Sequence, residues 1–127
     1  VEGGKRPLSS MSPTIVLRNG RPILCVGAAG GPTIISQTLL AILRTVDFGL
    51  PVAEALAKPR FHHQWRPDEL QVEQSLGAEA MEVLRRMGHR VVDVPSLGAA
   101  QAVGMAPAGL GLTGSADPRS EGSADGR

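Results

Sequence analysis

The pair Asn19-Gly20 lies between two apolar runs and constrains the fold more than any other short feature of the sequence. Asn-Gly is a preferred two-residue turn of β-hairpins because both positions adopt positive φ at low cost. The flanking runs, Thr14–Arg18 and 22–26, are apolar on successive residues instead of alternating with polar ones. Strands of that kind have both faces covered. The sequence therefore predicts an interior hairpin in a layered α/β structure.

The hairpin is followed by a helical pattern and then by short alternating elements. Residues 33–48 surround much of a helix with apolar side chains, which predicts a buried helix. Gly49 suits its C-terminal end, and Pro51 suits the first turn of a second helix over 52–58. The remaining pattern predicts strands at Leu70–Glu73, 90–94, 100–105 and 110–113, a helix over 78–87, and a turn at 107–109.

The length and composition indicate one domain, assigned to residues 1–120. The polar segment beyond Ser115 is expected to be a surface loop, with a flexible tail over 121–127. Thirteen basic and twelve acidic residues give a net charge of +1 with no basic block, so nucleic acid is not an expected partner. No apolar stretch reaches the roughly 18–20 residues of a membrane span. The single Cys25 excludes an internal disulfide and is expected in the core.

The glycine-rich stretch 27–31 separates the second strand from the first helix. It lacks the Lys-Ser/Thr pair of a P-loop and the spacing of a dinucleotide fingerprint. Gly30 and Gly31 would present two backbone amides at the positive end of the helix, an arrangement that stabilises the oxyanion of acyl transfer. A tight turn that needs positive φ accounts for the same glycines. The spacing leaves both interpretations open.

Three serines, Ser9, Ser10 and Ser12, precede the first strand. Neighbouring hydroxyls and amides in a loop bind carboxylates, although a serine-rich turn ahead of Pro13 has the same composition. No histidine has a spacing that marks Ser9 or Ser10 as a base-activated nucleophile.

Two adjacent histidines, His62 and His63, raise the question of a metal site. Adjacent residues point in different directions on both strands and helices, so they rarely share one ion. No acidic or cysteine partner completes a ligand set. The pattern favours a hydrogen-bonded structural segment, and no metal is expected.

Several longer strings occur in a characteristic order: "KRPLSSMSPTIV", "GAAGGPTIIS", "DFGLPVAEALAKPRFHHQW", "PDELQVE" and "GSADPRS". Together they strongly resemble the small subunit of the γ-glutamyltranspeptidases, which are N-terminal-nucleophile hydrolases. The resemblance extends from Lys5 to about Ser120. It implies an α/β fold that forms the C-terminal portion of a four-layer αββα sandwich.

The resemblance also implies an activity. In that family a precursor cleaves itself into a large and a small subunit, and the freed N-terminal threonine attacks γ-glutamyl amides such as glutathione. The γ-glutamyl group then passes to water, amino acids or peptides. By resemblance, Ser9 and Ser10 hold the donor's α-carboxylate, and Gly30 and Gly31 form the oxyanion hole. The family implies no cofactor and a periplasmic or extracellular location.

Two departures from the family pattern affect these expectations. Ala28-Ala29 replace the usual Ser-Pro or Thr-Pro ahead of the glycine pair. The nucleophile and the groups that bind the donor's α-amino group lie upstream in the family, and Val1 falls inside the small subunit. We therefore expect a C-terminal portion that is inactive alone and whose partners are the large subunit and the rest of the small subunit. Without them, one sheet face and a strand edge are expected to lie open.

Two alternatives remain open on the sequence. One is an acylase of the same superfamily, such as a cephalosporin acylase relative, which has the same machinery but a different acyl pocket. The other is a truncated, non-catalytic remnant that packs against a partner chain.

Overall fold

The computed structural model describes residues 2–106 and 111–125, and in these ranges the chain forms two β-sheets and three α-helices. The elements in chain order are β1 (Thr14–Arg18), β2 (Arg21–Ala29), α1 (Thr33–Ile42), α2 (Val52–Ala57), β3 (Phe61–His62), β4 (Leu70–Glu73), α3 (Ala78–Arg86), β5 (Val91–Val94), β6 (Ala99–Met105) and β7 (Leu112–Ser115). A π-helical turn over Leu43–Asp47 continues α1. The predicted turn at 107–109 lies outside the described residues.

The first sheet has the strand order β1-β2-β6-β7, and all of its neighbours are antiparallel. Asn19 and Gly20 have φ of 52° and 75°, the positive values that a tight hairpin turn requires. The predicted hairpin is confirmed, but its interior position is not observed in the described chain, because β1 is an edge strand with mostly exposed residues. Strand β2 continues past Val26 to Ala29 and so leads directly into the glycine turn.

The second sheet has the order β3-β4-β5. Strands β4 and β5 are parallel and are joined by α3, because a parallel connection needs a crossover. Met81 of α3 packs on Leu70 and Val72, which closes a small separate core. The sequence predicted β4, α3 and β5 but not the two-residue strand β3.

The main core lies between one face of the first sheet and helices α1 and α2. Its buried members are all small or medium aliphatic residues: Leu24, Val26, Ala41, Val52, Leu56, Ala100 and Ala102. Burial of such side chains contributes about 25 cal/mol per Å² of apolar surface removed from water. This packing fixes the ends of β2 and β6 against α1, where the candidate site begins.

The opposite face of the first sheet is open in the described chain. Ile15 pairs with Cys25, which pairs with Val103 on the next strand, and this row points away from the helices. Ile15 is 65% exposed and Cys25 is also exposed, so the expectation that Cys25 is a core residue is wrong. Alternate residues of a strand face opposite sides, and the helices of the described chain cover only one of them. The expected open sheet face is therefore present.

Helix α1 is covered on one side only. Ile34 and Leu40 are buried against the sheet, whereas Ile35 and Leu39 are 56% and 53% exposed. The prediction of a buried helix holds for the side that faces the sheet and is wrong for the outer side, which has no neighbouring layer in the described chain. None of the helices in the described ranges is long and apolar enough to cross a membrane.

The segment after β7 is a largely exposed loop, as its polar composition predicts, but it is anchored by one buried residue. Asp117 is only 1% exposed. Residues 121–125 have no regular secondary structure. The flexibility of 121–127 remains a prediction.

Candidate functional site

The serine segment and the glycine turn lie at the same end of the first sheet. Thr14, the first residue of β1, pairs with Val26 near the end of β2. The chain entering β1 and the chain leaving β2 therefore run side by side. The Thr38 hydroxyl of α1 also donates a hydrogen bond to the Ser12 carbonyl over 3.4 Å, which ties the serine segment to the same helix.

The glycine turn directs its carbonyl groups into the helix. The Gly30 carbonyl accepts hydrogen bonds from the Thr33 amide at 3.3 Å and from the Thr33 hydroxyl at 2.9 Å. The Gly31 carbonyl accepts from the Ile34 amide at 3.1 Å. Among the residues that the structure describes, the amides of Gly30 and Gly31 donate to no acceptor. Two N–H groups that have no acceptor in the described ranges thus lie at the start of α1.

The electrostatics of the helix start also favour an anion. Pro32 precedes the first residue of α1, and no side chain caps the helix there. The first turn contains no acidic residue that would neutralise the positive end of the helix dipole. An oxyanion at this position would meet backbone N–H groups and a partial positive charge together.

Both glycines have a positive φ, which other residues rarely adopt, but the space around them differs. Gly30 has φ of +143°, and a Cβ there would lie 2.6 Å from the Thr33 hydroxyl and 2.8 Å from Gln37 Nε2. Gly31 has φ of +59°, and a Cβ there would have no neighbour within 4 Å. A side chain at Gly30 would therefore point into the protein, whereas one at Gly31 would point into open space. The tight-turn interpretation holds for both glycines and is compatible with a role for their amides.

The two serines are accessible. Ser9 is exposed and Ser10 is half-buried. The Ser9 hydroxyl accepts a 3.4 Å hydrogen bond from the Met11 amide, and the Ser10 carbonyl accepts one of 3.1 Å from the Ser12 hydroxyl. In the described part of the chain the Ser10 hydroxyl has no hydrogen-bond partner. These local bonds shape the loop and leave hydroxyl groups available to a ligand.

His62 and His63 each form a hydrogen bond to another side chain of the protein. His62 is 5% exposed, and its Nδ1 lies 2.7 Å from the Ser36 hydroxyl of α1. His63 contacts Asp68 instead, with 3.1 Å between Nε2 and Oδ1. The two rings thus have separate partners, as expected for neighbouring residues. Within 2–106 and 111–125, no group of three or more His, Cys, Asp or Glu side chains is placed to hold a metal ion.

Sequence reasoning missed a buried cluster of charged side chains, here called the charge cluster: Arg60, Glu73, Asp117 and Arg119. Arg60 forms an ion pair with Asp117. Arg119 bridges the two acids, with Nη2 2.6 Å from Glu73 Oε2 and Nη1 3.2 Å from Asp117 Oδ1. The strings "PRFHHQW" and "GSADPRS" contain three of these residues, but nothing in their spacing shows that they meet.

The charge cluster joins separate segments through their backbones. Glu73 accepts from the amides of Arg60 and Leu97, both at 2.8 Å. Asp117 accepts from the Ala100 amide of β6 at 2.7 Å. Each buried carboxylate is thereby paired with a guanidinium and backbone donors, which offsets the cost of its removal from water.

These contacts shift the pKa values of the charge cluster. Burial opposes ionisation of Glu73, but hydrogen bonds from Arg119 and two backbone amides outweigh it and lower the pKa of Glu73. The pKa of Asp117 is lowered in the same way, by two backbone amides and Arg60. Burial lowers the pKa of Arg60, whereas the partners of Arg119 overcome its burial and raise its pKa. Both carboxylates are therefore held in the charged form.

The fold matches part of the α/β fold of N-terminal-nucleophile hydrolases, with a TM-score of 0.88 to the γ-glutamyltranspeptidase of Pseudomonas nitroreducens at 34% identity, over 100% of this chain and 67% of that one. The family model described as gamma-glutamyltranspeptidase matches residues 1–126. The chain belongs to the γ-glutamyltranspeptidase family.

Individual relatives agree with this assignment. The chain is 46% identical over 116 residues to the glutathione hydrolase proenzyme of Escherichia coli K12, a match that covers 91% of this chain and 20% of that protein. A crystal structure of a Helicobacter pylori γ-glutamyltranspeptidase mutant has 43% identity and a TM-score of 0.86, covering 94% of this chain and 66% of that one. The chain thus spans about one fifth of the curated E. coli relative.

A more distant similarity reaches another enzyme of related fold. The cephalosporin acylase of Bacillus halodurans matches with 27% identity and a TM-score of 0.76, over 89% of this chain and 22% of that one.

Proposed function

We propose that this chain supplies the donor-carboxylate site and the oxyanion hole of a γ-glutamyltransferase/glutathione hydrolase. One observation carries the proposal. The free amides of Gly30 and Gly31 lie at the start of α1, and the accessible Ser9 and Ser10 lie on the segment that enters the same end of the sheet. This pairing provides donors for both anionic ends of a γ-glutamyl group during acyl transfer.

The glycine amides act on the reacting carbonyl. Attack by a threonine hydroxyl on the γ-carbonyl forms a new C–O bond and places a negative charge on the carbonyl oxygen. Donors preorganised toward that oxygen bind the tetrahedral intermediate more strongly than the flat amide, which lowers the barrier. Collapse of the intermediate breaks the C–N bond and releases the amine, with a proton from the threonine's own α-amino group. Water, an amino acid or a peptide then attacks the γ-glutamyl ester, takes over the γ-glutamyl group and releases the threonine hydroxyl.

The serines act on the other end of the donor. A γ-glutamyl group carries an α-carboxylate that does not react, and hydroxyl groups are suitable donors to it. Binding energy gained at Ser9 and Ser10 would hold the γ-carbonyl at the glycine turn, because both sites lie at one end of the sheet. Glutathione and other γ-glutamyl amides are the donor class that this arrangement fits.

The remaining parts of such an enzyme would come from residues outside this segment. The similarity to a relative of which the chain spans one fifth supports this division, as does the open apolar face around Ile15, Cys25 and Val103. β1 forms one edge of the sheet and leaves its outer backbone groups unpaired by another strand in the described chain. We propose the large subunit and the rest of the small subunit as partners, and a periplasmic or extracellular location.

The related-acylase alternative has one observation in its favour, the similarity to the Bacillus halodurans cephalosporin acylase. The identity of 46% to the E. coli glutathione hydrolase proenzyme favours γ-glutamyl donors instead. A non-catalytic remnant would need neither free glycine amides nor accessible serines.

Three p-nitroanilides test the proposed function on a precursor that carries this segment. The γ-glutamyl compound has both α-groups, the glutaryl compound keeps only the carboxylate, and the 4-aminobutyryl compound keeps only the amine. A γ-glutamyltransferase should use the first best and lose most activity on the third, because Ser9 and Ser10 then lack a carboxylate. Equal use of the γ-glutamyl and glutaryl compounds would favour an acylase. No turnover of any of them would favour the remnant.

A further inference from the structure

The side chain of Gln37 lies directly beneath the glycine turn. Gln37 is on α1 and is 2% exposed. Its Nε2 donates to the carbonyl of Ala29 at 3.1 Å and to the Thr33 hydroxyl at 2.9 Å. Ala29 is the residue immediately before Gly30, and the Thr33 hydroxyl itself donates to the Gly30 carbonyl. One carboxamide therefore fixes both flanks of the turn.

The fit around this carboxamide is close. A Cβ on Gly30 would lie 2.8 Å from Gln37 Nε2, and a Cβ on Gly98 would lie 2.2 Å from the same atom. The amide group of Gln37 fits between the turn and the segment before β6 because Gly30 and Gly98 carry no side chains. The turn therefore rests on Gln37 with little freedom to move inward.

Gln37 is itself held by the charge cluster. Its Oε1 accepts a 3.3 Å hydrogen bond from Arg60 Nη1, and Arg60 also donates to the carbonyl of Gly98 at 3.3 Å. This contact fixes which end of the carboxamide is the acceptor, so Nε2 must point toward Ala29. A chain of contacts thus runs from Asp117 through Arg60 and Gln37 to the glycine turn.

We propose that Gln37 is a positioning residue for the oxyanion hole: its carboxamide holds the carbonyls and the hydroxyl around Gly30 so that the amides of Gly30 and Gly31 point outward together. This inference rests on the proposed function of the two glycines. Gln37 touches no reacting atom and acts only through the turn. Donors that are displaced by a fraction of an ångström lose their advantage in the transition state while substrate binding elsewhere is kept.

The test uses the Gln37→Met variant of the full precursor. Methionine has a similar length and volume, so the core remains filled, but it cannot donate to Ala29 or Thr33. With γ-glutamyl-p-nitroanilide we expect kcat to fall at least about tenfold with KM within about twofold, because only transition-state stabilisation is lost. Gln74→Leu is the matched control, since Gln74 is exposed and contacts Asp93 in the second sheet. It should leave both constants unchanged.

A second pair of variants covers the case in which Gln37→Met does not fold. Thr33→Ser keeps the bridging hydroxyl and should retain the wild-type kcat. Thr33→Val keeps the shape but loses the hydroxyl, and its kcat should fall with KM unchanged. A wild-type precursor without turnover contradicts the proposed function and this inference together. An active wild type in which both Gln37→Met and Thr33→Val keep the wild-type kcat, or lose activity only through KM, overturns the inference about Gln37 alone.

Discussion

Arg60 and Asp117 are 57 residues apart in sequence and form an ion pair whose side chains are 2% and 0% exposed. The pair joins the segment after α2 to the segment after β7. Arg60 also donates to the carbonyls of Leu97 and Leu56, at 3.1 and 3.3 Å. The segment that carries Asp117 is therefore integral to the fold on which the candidate site rests.

Loss of one member of this pair should destabilise the protein strongly. Arg60→Met would remove one of the two guanidinium groups that contact the buried Asp117 carboxylate and leave Arg119 as its ionic partner. Removal of one member of a buried pair costs up to about 3–5 kcal/mol. Urea unfolding of the precursor, followed by circular dichroism, measures the change. Lys58→Met is the control, because the Lys58–Glu54 pair is about half exposed and such pairs contribute roughly 0–1 kcal/mol. Equal stabilities for the two variants would contradict the buried role of Arg60.

The charge cluster should make the free energy of unfolding depend on pH. Glu73 and Asp117 have pKa values lowered from their usual 4.5 and 3.8, so the folded form binds protons less readily than the unfolded form. Their contribution is complete above those usual values and is lost as the pH falls below them toward the folded pKa values. Glu73→Gln should therefore be less stable than wild type at neutral pH, with a difference that shrinks in acid.

Urea unfolding of wild type and Glu73→Gln at several pH values measures this difference in stability. One surface variant serves as the control. Glu82→Gln changes a residue of α3 whose contact with Arg85 is long and exposed, so its stability should stay within roughly 1 kcal/mol of wild type throughout. A Glu73→Gln difference that stays constant from neutral pH to acid would show that Glu73 acts by packing and not by charge.

The two glycines of the turn should respond differently to alanine. Gly30→Ala places a Cβ within 3 Å of two polar atoms, at a φ that alanine avoids, so it should disrupt the turn and abolish activity. Gly31→Ala meets no neighbour and costs only the left-handed backbone, about 1–2 kcal/mol. Thermal unfolding of the precursor separates the two, and Gly3→Ala, in open space with an ordinary φ, serves as control. A larger loss from Gly31→Ala than from Gly30→Ala would contradict the inward orientation of Gly30.

Ser9→Ala and Ser10→Ala should each weaken the use of γ-glutamyl donors. Each lost hydrogen bond to a carboxylate is worth about 1.5–3 kcal/mol, or roughly a tenfold to hundredfold fall in kcat/KM. Ser75→Ala, an exposed serine beside α3, is the matched control. The 4-aminobutyryl substrate lacks the carboxylate, so the serine variants should use it as well as the wild type does. A loss of equal size on both substrates would contradict binding of the donor's carboxylate by Ser9 and Ser10.

The sequence predicted local features well. The Asn19-Gly20 hairpin and strand Leu70–Glu73 follow from turn chemistry and residue alternation, which act over a few neighbours. The meeting of Arg60 with Asp117 depends on how distant segments pack, and no periodicity encodes that. Cys25 was misplaced because an apolar run does not reveal which sheet face this chain covers.

The candidate site likewise contains one feature that local sequence predicted and one that depends on packing. A glycine pair before a helix suggested backbone donors at Gly30 and Gly31, and among the described residues their amides have no acceptor. Their role as an oxyanion hole stays a prediction. Gln37 was missed because a single glutamine in an apolar helix carries no signal of its own. Its importance depends on the 3.1 Å contact with Ala29, which only the packed structure reveals.

The most direct measurement of the central claim is nitroaniline release from γ-glutamyl-p-nitroanilide by the 127-residue chain alone and by a precursor that carries it. We propose that this chain contains the carboxylate site and the oxyanion hole and that the threonine nucleophile lies in residues outside it. This proposal therefore predicts turnover by the precursor, sensitive to Ser9→Ala and Ser10→Ala, and no release above background by the chain alone. Turnover by the isolated chain that either serine variant abolishes would contradict it.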